Sequence, residues 1–359
     1  MSAPITSSPA QPTTPTSDRV AGLVRASLLQ KLGGYINSQL IYVLAKLGVA
    51  DHLTAGPKSS TTLAAALNVA HDPLLRILRG CVSAGLLSET SPGHFAATPL
   101  TQMLESNRPD SLRDYALLSG EVWYGAWGAL WQAVETGRTP FETTFGTDYY
   151  SYLAQHPAAN CSFQVYMQGR TQQSGQALSA LYDFSRVRTV VDIGGGNGTL
   201  LQILLHDHQH LNGVLYDLPE VIAEAAQNPL LQQLGARCQL VSGDFTQQQV
   251  PAGGDCYILS QILHSCNDAE CLPILQNCFA ALPPQGRLLI LEQVIPAQLQ
   301  GNMPAVEMDL MMLVLLHGRE RTADAYTRLL AATGFTVTAV QPLKTFGYSL
   351  IEAQKNSEQ

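Results

Sequence analysis

Charged side chains are scarce in this 359-residue chain. Asp, Glu, Lys and Arg together make up 13% of it, and the formal net charge is −8. An acidic, weakly charged chain is a poor match for nucleic acid or for an anionic membrane surface, so we expect neither as a partner. No run of about 18 apolar residues is present, so no segment is expected to span a bilayer.

Paired cysteine motifs are also missing. The seven cysteines are an odd number and include no C-x-x-C pair. Residues 1–17 lack the basic start and apolar stretch of a signal peptide, and their Pro, Ser and Thr content predicts a disordered tail. These features together predict reduced thiols in a cytoplasmic protein.

The most informative motif present is a glycine-rich segment, VDIGGGNGTL, over residues 191–200. It joins a short apolar run to a leucine-rich helical pattern, and glycines there let a ligand sit against bare backbone. The spacing of Gly194, Gly196 and Gly198 is G-x-G-x-G, which differs from the dinucleotide fingerprint. Asp192, just before the glycines, suits a cationic ligand better than a pyrophosphate.

A second acidic residue supports a nucleoside ligand. Asp217 ends the next apolar run, 21 residues after Gly196, where a carboxylate would meet ribose hydroxyls. A nucleoside with a positive centre describes S-adenosylmethionine (SAM). The alternative is a glycine-rich turn in some other α/β domain.

Apolar runs in the second half predict an α/β fold. They occur at 189–193, 213–217, 237–242, 255–260 and 286–292, several of them separated by helical stretches. Two further runs, 335–341 and 346–352, are joined too tightly for a crossover helix and should form an antiparallel hairpin at the sheet edge. We therefore predict a Rossmann-like sheet of seven strands with the last one antiparallel, as in SAM-binding methyltransferases.

The first half reads as helices followed by a small hairpin, the winged-helix pattern. Helical spacing covers Leu40 to Leu47, helices open near Thr61 and Asp72, and residues 86–89 and 94–97 could pair. A DNA-binding domain is the alternative. However, residues 51–100 carry three basic and three acidic side chains, so they have no excess of positive charge for binding phosphates. We expect a protein–protein role, namely a homodimer burying more than about 2,000 Å².

The ordered set of motifs resembles the SAM-dependent O-methyltransferases of the plant caffeate and bacterial hydroxyneurosporene type, from about residue 20 to 353. The matching blocks are DIGGGNGTLL (192–201), LYDLPEVI (215–222), SGDF (242–245), ILH (262–264), GRLLILEQVIP (286–296), MDLMMLVLLHGRERT (308–322) and AATGF (331–335). The resemblance implies four segments: the tail 1–17, a winged-helix-like dimerisation domain 18–115, a helical linker 116–184 that contributes to the substrate pocket, and a SAM-binding catalytic domain 185–355.

The resemblance also implies roles for individual residues. His264 would be the catalytic base, with Glu292 and Glu320 beside it. The residues implied to bind SAM are Asp192, Gly194, Gly196, Asp217, Asp244, Phe245 and Ser260. Those implied to contact the acceptor are Phe163, Met167, Asp268, Met311 and Met312. No metal is expected.

The chemistry of methyl transfer makes a histidine base reasonable without the resemblance. The enzyme must align donor and acceptor and remove the acceptor's proton, and histidine is the usual base near neutral pH. A carboxylate on its far nitrogen would fix the tautomer. The alternative is a structural histidine in the core whose ring nitrogens simply have their hydrogen-bond partners. His206, His208 and His210 are expected to lie in a solvated loop, although their alternation could suggest a metal.

The chain departs from the family pattern on the acceptor side. Where the family commonly has HDWDDE, residues 264–269 read HSCNDA, so Cys266 could touch substrate or be a structural thiol. We predict O-methylation of a small aromatic or enolic hydroxyl. The alternatives are N-methylation of a small amine, or a SAM-binding fold repurposed for cyclisation, decarboxylation or hydroxylation.

Overall fold

The computed structural model describes residues 17–300, 304–345 and 347–356. The described residues fold as two compact units that divide between Ala116 and Leu117. The predicted disordered tail lies outside the described residues except for Ser17, which begins the first helix. The finer division of the second unit at residues 184 and 185 stays a prediction.

The first unit contains the expected helices and hairpin. Its elements are α1 (Ser17–Leu32), α2 (Gly34–Leu47), α3 (Val49–Leu53), β1 (Lys58–Ser59), α4 (Ser60–Leu67), α5 (His71–Ser83), β2 (Leu87–Ser91), β3 (His94–Ala97) and α6 (Pro99–Gln102). The hydroxyl that caps α4 belongs to Ser59, which accepts a hydrogen bond from Thr62 N, and not to Thr61 as expected. β1 also pairs with β3, a third strand that the sequence pattern did not predict.

A row of large apolar side chains on α1 is exposed. Leu23 and Leu32 are each 64% accessible and Leu28 and Leu29 are each 58% accessible. An apolar stripe of this length left in solvent is typical of an interface with another chain.

The second unit begins with helices. They are α7 (Arg113–Leu118, which starts within the first unit), α8 (Tyr124–Gly128), α9 (Leu130–Thr136), α10 (Pro140–Phe145), α11 (Tyr149–Gln155) and α12 (Pro157–Leu181). Residues Ser119–Trp123 form one π-helical turn between α7 and α8. Of the tryptophans in these helices, Trp123 is buried in the core, whereas Trp131 is 70% exposed.

The rest of the second unit alternates strands and helices. The strands are β4 (Thr189–Ile193), β5 (Asn212–Asp217), β6 (Cys238–Ser242), β7 (Cys256–Ser260), β8 (Arg287–Ile295), β9 (Arg321–Thr322), β10 (Phe335–Pro342) and β11 (Tyr348–Lys355). The helices are α13 (Thr199–Asp207), α14 (Pro219–Ala225), α15 (Pro229–Leu234), α16 (Asp268–Ala281), α17 (Pro304–Leu315) and α18 (Ala323–Ala331).

The seven predicted strands form one sheet in the order β10-β11-β8-β7-β4-β5-β6. The strands β4 to β8 pair in parallel, and β11 is antiparallel to both of its neighbours. The predicted parallel sheet and closing hairpin are therefore confirmed. The short strand β9, which pairs with β8, is an eighth strand that the apolar pattern did not reveal.

Both faces of the sheet are buried, because its central strands are continuous apolar runs whose successive side chains point to opposite faces. Val191 and Ile193 of β4 pack into one core, and Val190 packs into the other. Because β4, β5 and β7 pair in parallel, their carboxyl ends lie at one edge, where open α/β sheets bind ligands. Among the described residues, no helix is long and apolar enough to cross a membrane.

Candidate active site

The glycine-rich segment forms the turn between β4 and α13. Gly194 and Gly196 have φ values of +67° and +57°, a region that favours glycine. A Cβ on Gly194 would lie 2.5 Å from Ile262 Cδ1 and 3.2 Å from Phe245 Cε1, whereas a Cβ on Gly196 would meet no described atom within 4 Å. The first glycine is thus needed for packing, and the second leaves open backbone at the sheet edge.

Asp192 lies beneath this turn. Its side chain is buried, and neither carboxylate oxygen has a hydrogen-bond donor among the described residues. Burial, together with the negative charge of Asp217, raises the pKa of Asp192 to about 7. A buried carboxyl without a partner is costly, and a cation placed above it would relieve that cost.

Asp217 joins the end of β5 to the glycine turn. Its carboxylate accepts hydrogen bonds from Gly196 N at 2.8 Å and from Leu218 N at 2.7 Å. Burial raises the pKa of Asp217, and the two backbone donors oppose that shift. These bonds hold the carboxylate at the opening beside Gly196.

The other residues implied to bind SAM lie after neighbouring strands. The Asp244 carboxylate, just past β6, accepts from Thr246 N at 2.8 Å, and Phe245 packs partly against the core. Ser260 is the last residue of β7, and its buried hydroxyl has no partner within the described part of the chain. This edge of the sheet therefore fits a nucleoside with a positively charged substituent. It offers open backbone at Gly196, an unpaired buried carboxyl on Asp192 and a second acidic side chain on Asp217.

His264 lies four residues beyond the end of β7, in the helical turn Leu263–Ser265. It is 6% exposed, and its Nδ1 lies 2.7 Å from Glu320 Oε1 and 3.5 Å from Glu292 Oε2. The other oxygen of Glu292 accepts from the backbone N of Leu263 at 2.9 Å. The structure therefore brings the predicted base and both predicted carboxylates together.

Burial dominates the electrostatics of this cluster. It raises the pKa of Glu292 to about 7 and that of Glu320 to about 8, and it lowers the pKa of His264. His264 and Glu320 titrate as a pair, because a proton on one changes the charge that the other meets. When the pair holds one proton, Nδ1–H donates to Glu320 and Nε2 is free to accept a proton.

The same three residues satisfy the spacing of a metal-ligand set, with one ligand atom from each within 4.8 Å of the others. The short contact between Nδ1 and Glu320 is a hydrogen bond, which is how an oriented base is held. We therefore interpret this cluster as a base and its partners.

A partly open pocket adjoins His264. Its walls are aromatic and thioether side chains: Trp123, Tyr149, Tyr150, Phe163, Tyr166, Met167, Met308, Met311 and Met312. Four of the five predicted acceptor-contacting residues, Phe163, Met167, Met311 and Met312, line it. The polar lining residues are Arg170, Gln261 and His264.

Asp268 is not among the lining residues of this cavity. It is the first residue of α16, and its Oδ1 lies 2.7 Å from Arg321 Nη2. Arg321 also donates to the carbonyls of Leu263 and Cys266, at 2.7 and 2.9 Å. Asp268 thus helps to hold the loop after His264, because its carboxylate is engaged by Arg321.

The three alternating histidines at 206, 208 and 210 have separate partners. His206 contacts Asp207, His208 contacts Ser179 Oγ, and His210 contacts the carbonyl of Phe184, each through a ring nitrogen 3.0 to 3.1 Å away. They do not converge on a shared point.

Sequence reasoning missed three polar residues of the cavity region. Arg170 is in α12, Gln261 follows β7, and Tyr348 begins β11. The signal available for Gln261 was its position one residue past the strand; no pattern in the sequence pointed to Arg170 or Tyr348.

Comparison with known proteins places these two units in one family. The chain matches the O-methyltransferase domain model over residues 127–336 and the O-methyltransferase dimerisation domain model over residues 29–107. It is 43% identical to the phenazine O-methyltransferase of Lysobacter antibioticus over 343 residues, covering 94% of this chain and 99% of that protein. The chain belongs to the O-methyltransferase family with an N-terminal dimerisation domain.

Solved structures agree with this assignment. The mitomycin 7-O-methyltransferase superposes with a TM-score of 0.89 at 28% identity, covering 94% of this chain and all of that one. An O-methyltransferase from neocarzinostatin biosynthesis, solved with SAM and 2-hydroxy-5-methyl naphthoic acid, has a TM-score of 0.78 at 29% identity, covering 89% and 96%. The protein is a SAM-dependent methyltransferase of secondary metabolism and a homodimer that acts on a small molecule.

Proposed function

We propose that this enzyme methylates a hydroxyl group of a small aromatic or enolic metabolite, with His264 as the general base. The observation that carries the proposal is the hydrogen bond of 2.7 Å from the His264 imidazole to Glu320, beside a cavity walled by aromatic rings and methionines. Flat rings pack well against such walls, and methionine adapts to their edges.

The residues would act as follows. Asp217 binds the ribose hydroxyls, and Asp192 faces the cationic end of the donor. Asp244, with Phe245 packing beside it, holds the adenine. SAM, when bound, supplies the methyl group on its sulfonium. His264 Nε2 takes the proton of the acceptor hydroxyl as the new C–O bond forms and the C–S bond breaks. Glu320, and beside it Glu292, stabilise the imidazolium that results.

N-methylation of an amine is the second candidate. The phenazine-1-carboxylate N-methyltransferase of Pseudomonas aeruginosa is 33% identical over 317 residues, covering 88% of this chain and 93% of that protein. An amine acceptor would need the base less. The loop from Ser265 to Ala269, which departs from the family pattern, lies beside the site where such a difference would matter.

Labelled SAM distinguishes the two. We would incubate the enzyme with methyl-labelled SAM and a panel of matched phenols and anilines, and locate the label by NMR. We expect label on oxygen and loss of turnover in His264→Ala; label on nitrogen, with turnover that survives His264→Ala, would support the second candidate.

We also propose a cytoplasmic location, on the basis of the seven free thiols.

A further inference from the structure

A chain of hydrogen bonds runs from α12 through β11 to the residue after β7. Arg170 donates through Nε and Nη2 to the hydroxyl oxygen of Tyr348, the first of these bonds being 2.9 Å long, and through Nη1 to Tyr166 Oη at 2.8 Å. A guanidinium can only donate, so Tyr348 Oη is an acceptor in both contacts. Its single proton is therefore available to Gln261 Oε1, which lies 2.5 Å away.

This chain fixes the orientation of the Gln261 amide. With Oε1 bound to the Tyr348 hydroxyl, the two N–H groups on Nε2 must point elsewhere, and no described residue accepts from them. Gln261 lines the same cavity as His264, three residues along the chain. Its φ of +59° is uncommon outside glycine, and such strain is concentrated where a side chain is held for function.

We propose that Gln261 is a specificity-determining residue whose amide N–H groups bind a second oxygen of the acceptor. That oxygen would be a carbonyl or carboxylate oxygen on the same aromatic framework as the reacting hydroxyl. Tyr348 and Arg170 are positioning residues, because they act by orienting the amide. This inference rests on the proposed function, since the hydroxyl must at the same time reach His264.

The physical consequence is selection between closely similar phenols. A site built to hydrogen-bond a ligand oxygen discriminates against an analogue without it, because its buried donors are then left unpaired. One neutral donor facing a carbonyl or carboxylate is expected to give roughly 10- to 100-fold preference.

The test uses 1-hydroxy-2-naphthoic acid and 1-naphthol, which differ only in the carboxylate. Their dissociation constants are measured by calorimetry on the full-length enzyme with S-adenosylhomocysteine present, so the result does not depend on turnover. We expect the hydroxy acid to bind at least 10-fold more tightly, and Gln261→Leu and Gln261→Glu each to remove most of that ratio. Equal binding of the two compounds to the unmodified enzyme, or an unchanged ratio in both variants, would overturn the inference.

Two variants separate positioning from general damage. Tyr348→Phe keeps the ring and should reduce the ratio in the natural background but not in Gln261→Leu; independent, additive effects would contradict a positioning role. Gln233→Leu, an exposed glutamine on α15, is the control and should leave the ratio unchanged. The proposed function fails separately: labelled methyl found on nitrogen would refute O-methylation while leaving the binding ratio intact.

Discussion

Replacement of His264 by alanine is the sharpest test of the proposed mechanism. The imidazole lies beside the proposed acceptor cavity. Its Nδ1 is close to the buried carboxylates of Glu292 and Glu320. Removing a positioned general base costs typically 10²- to 10⁴-fold, or about 3–5 kcal/mol of transition-state stabilisation. His264→Ala should therefore slow methyl transfer by that factor while leaving SAM affinity close to that of the unmodified enzyme.

The contact with Glu320 sets the scale of a second substitution. A hydrogen bond of 2.7 Å between a buried carboxylate and the imidazole is charge-assisted, and such bonds contribute about 1.5–3 kcal/mol. Glu320→Gln keeps the shape and removes the charge, so we expect roughly a 10- to 100-fold loss of rate. The loss should be smaller than for His264→Ala, because Glu320 orients the base and does not itself take the proton.

Single-turnover transfer from labelled SAM measures the chemical step, and calorimetry measures SAM binding. His206→Ala is the matched control, because that imidazole is 83% exposed and contacts only Asp207 among the described residues. It should alter neither quantity. Full turnover by His264→Ala on the natural acceptor would refute the general-base mechanism, because the acceptor would then lose its proton unaided.

Four further results are expected. Burial raises the pKa of Glu320 to about 8, so the His264–Glu320 pair gives up its second proton only as pH rises through that region. The rate of methyl transfer should therefore fall at lower pH. If the unmodified enzyme and Glu320→Gln have identical pH–rate profiles, this coupling is contradicted. Asp217→Ala should weaken SAM binding at least tenfold, about 1.4 kcal/mol, and unchanged affinity by calorimetry would contradict the ribose role. Burial raises the pKa of Asp192 to about 7, so its carboxyl gains a proton as pH falls through that region; SAM affinity should then decrease, and Asp192→Asn should remove this dependence near pH 7. Leu23→Glu with Leu28→Glu on α1 should convert the dimer to monomer by light scattering, and a persisting dimer would exclude this face as the interface.

Part of the site could be predicted because its signal is local. The turn after β4 needs glycines wherever it occurs, since Gly194 and Gly196 both have positive φ. Asp217 could be predicted from the strand that carries it, because parallel strands end at a common edge. The place of His264 relative to the strand depends on the fold, because the helical turn that carries it begins only after the strand has ended.

Other parts depend on contacts that no local pattern encodes. Asp268 and Glu320 are both acidic, and the resemblance implied a site role for each, yet Glu320 contacts His264 and Asp268 binds Arg321. The direction in which each backbone leaves its strand or helix decides this difference. Spacing along the chain cannot reveal it, since His264 and Glu320 are 56 residues apart.

The sequence by itself determined the layers of this protein, because short continuous apolar runs and helical apolar patterns indicate which faces must be buried. It also indicated the donor side of the site, because the glycines of the turn and the acidic residues near the strand ends are local sequence features. Only the tertiary structure decided the acceptor side. The bond between Arg170 and Tyr348 spans 178 residues, and the bond from Tyr348 to Gln261 spans 87. Such pairs form because packing of α12 and β11 buries polar groups that must then find partners, and that requirement exists only once the chain has folded.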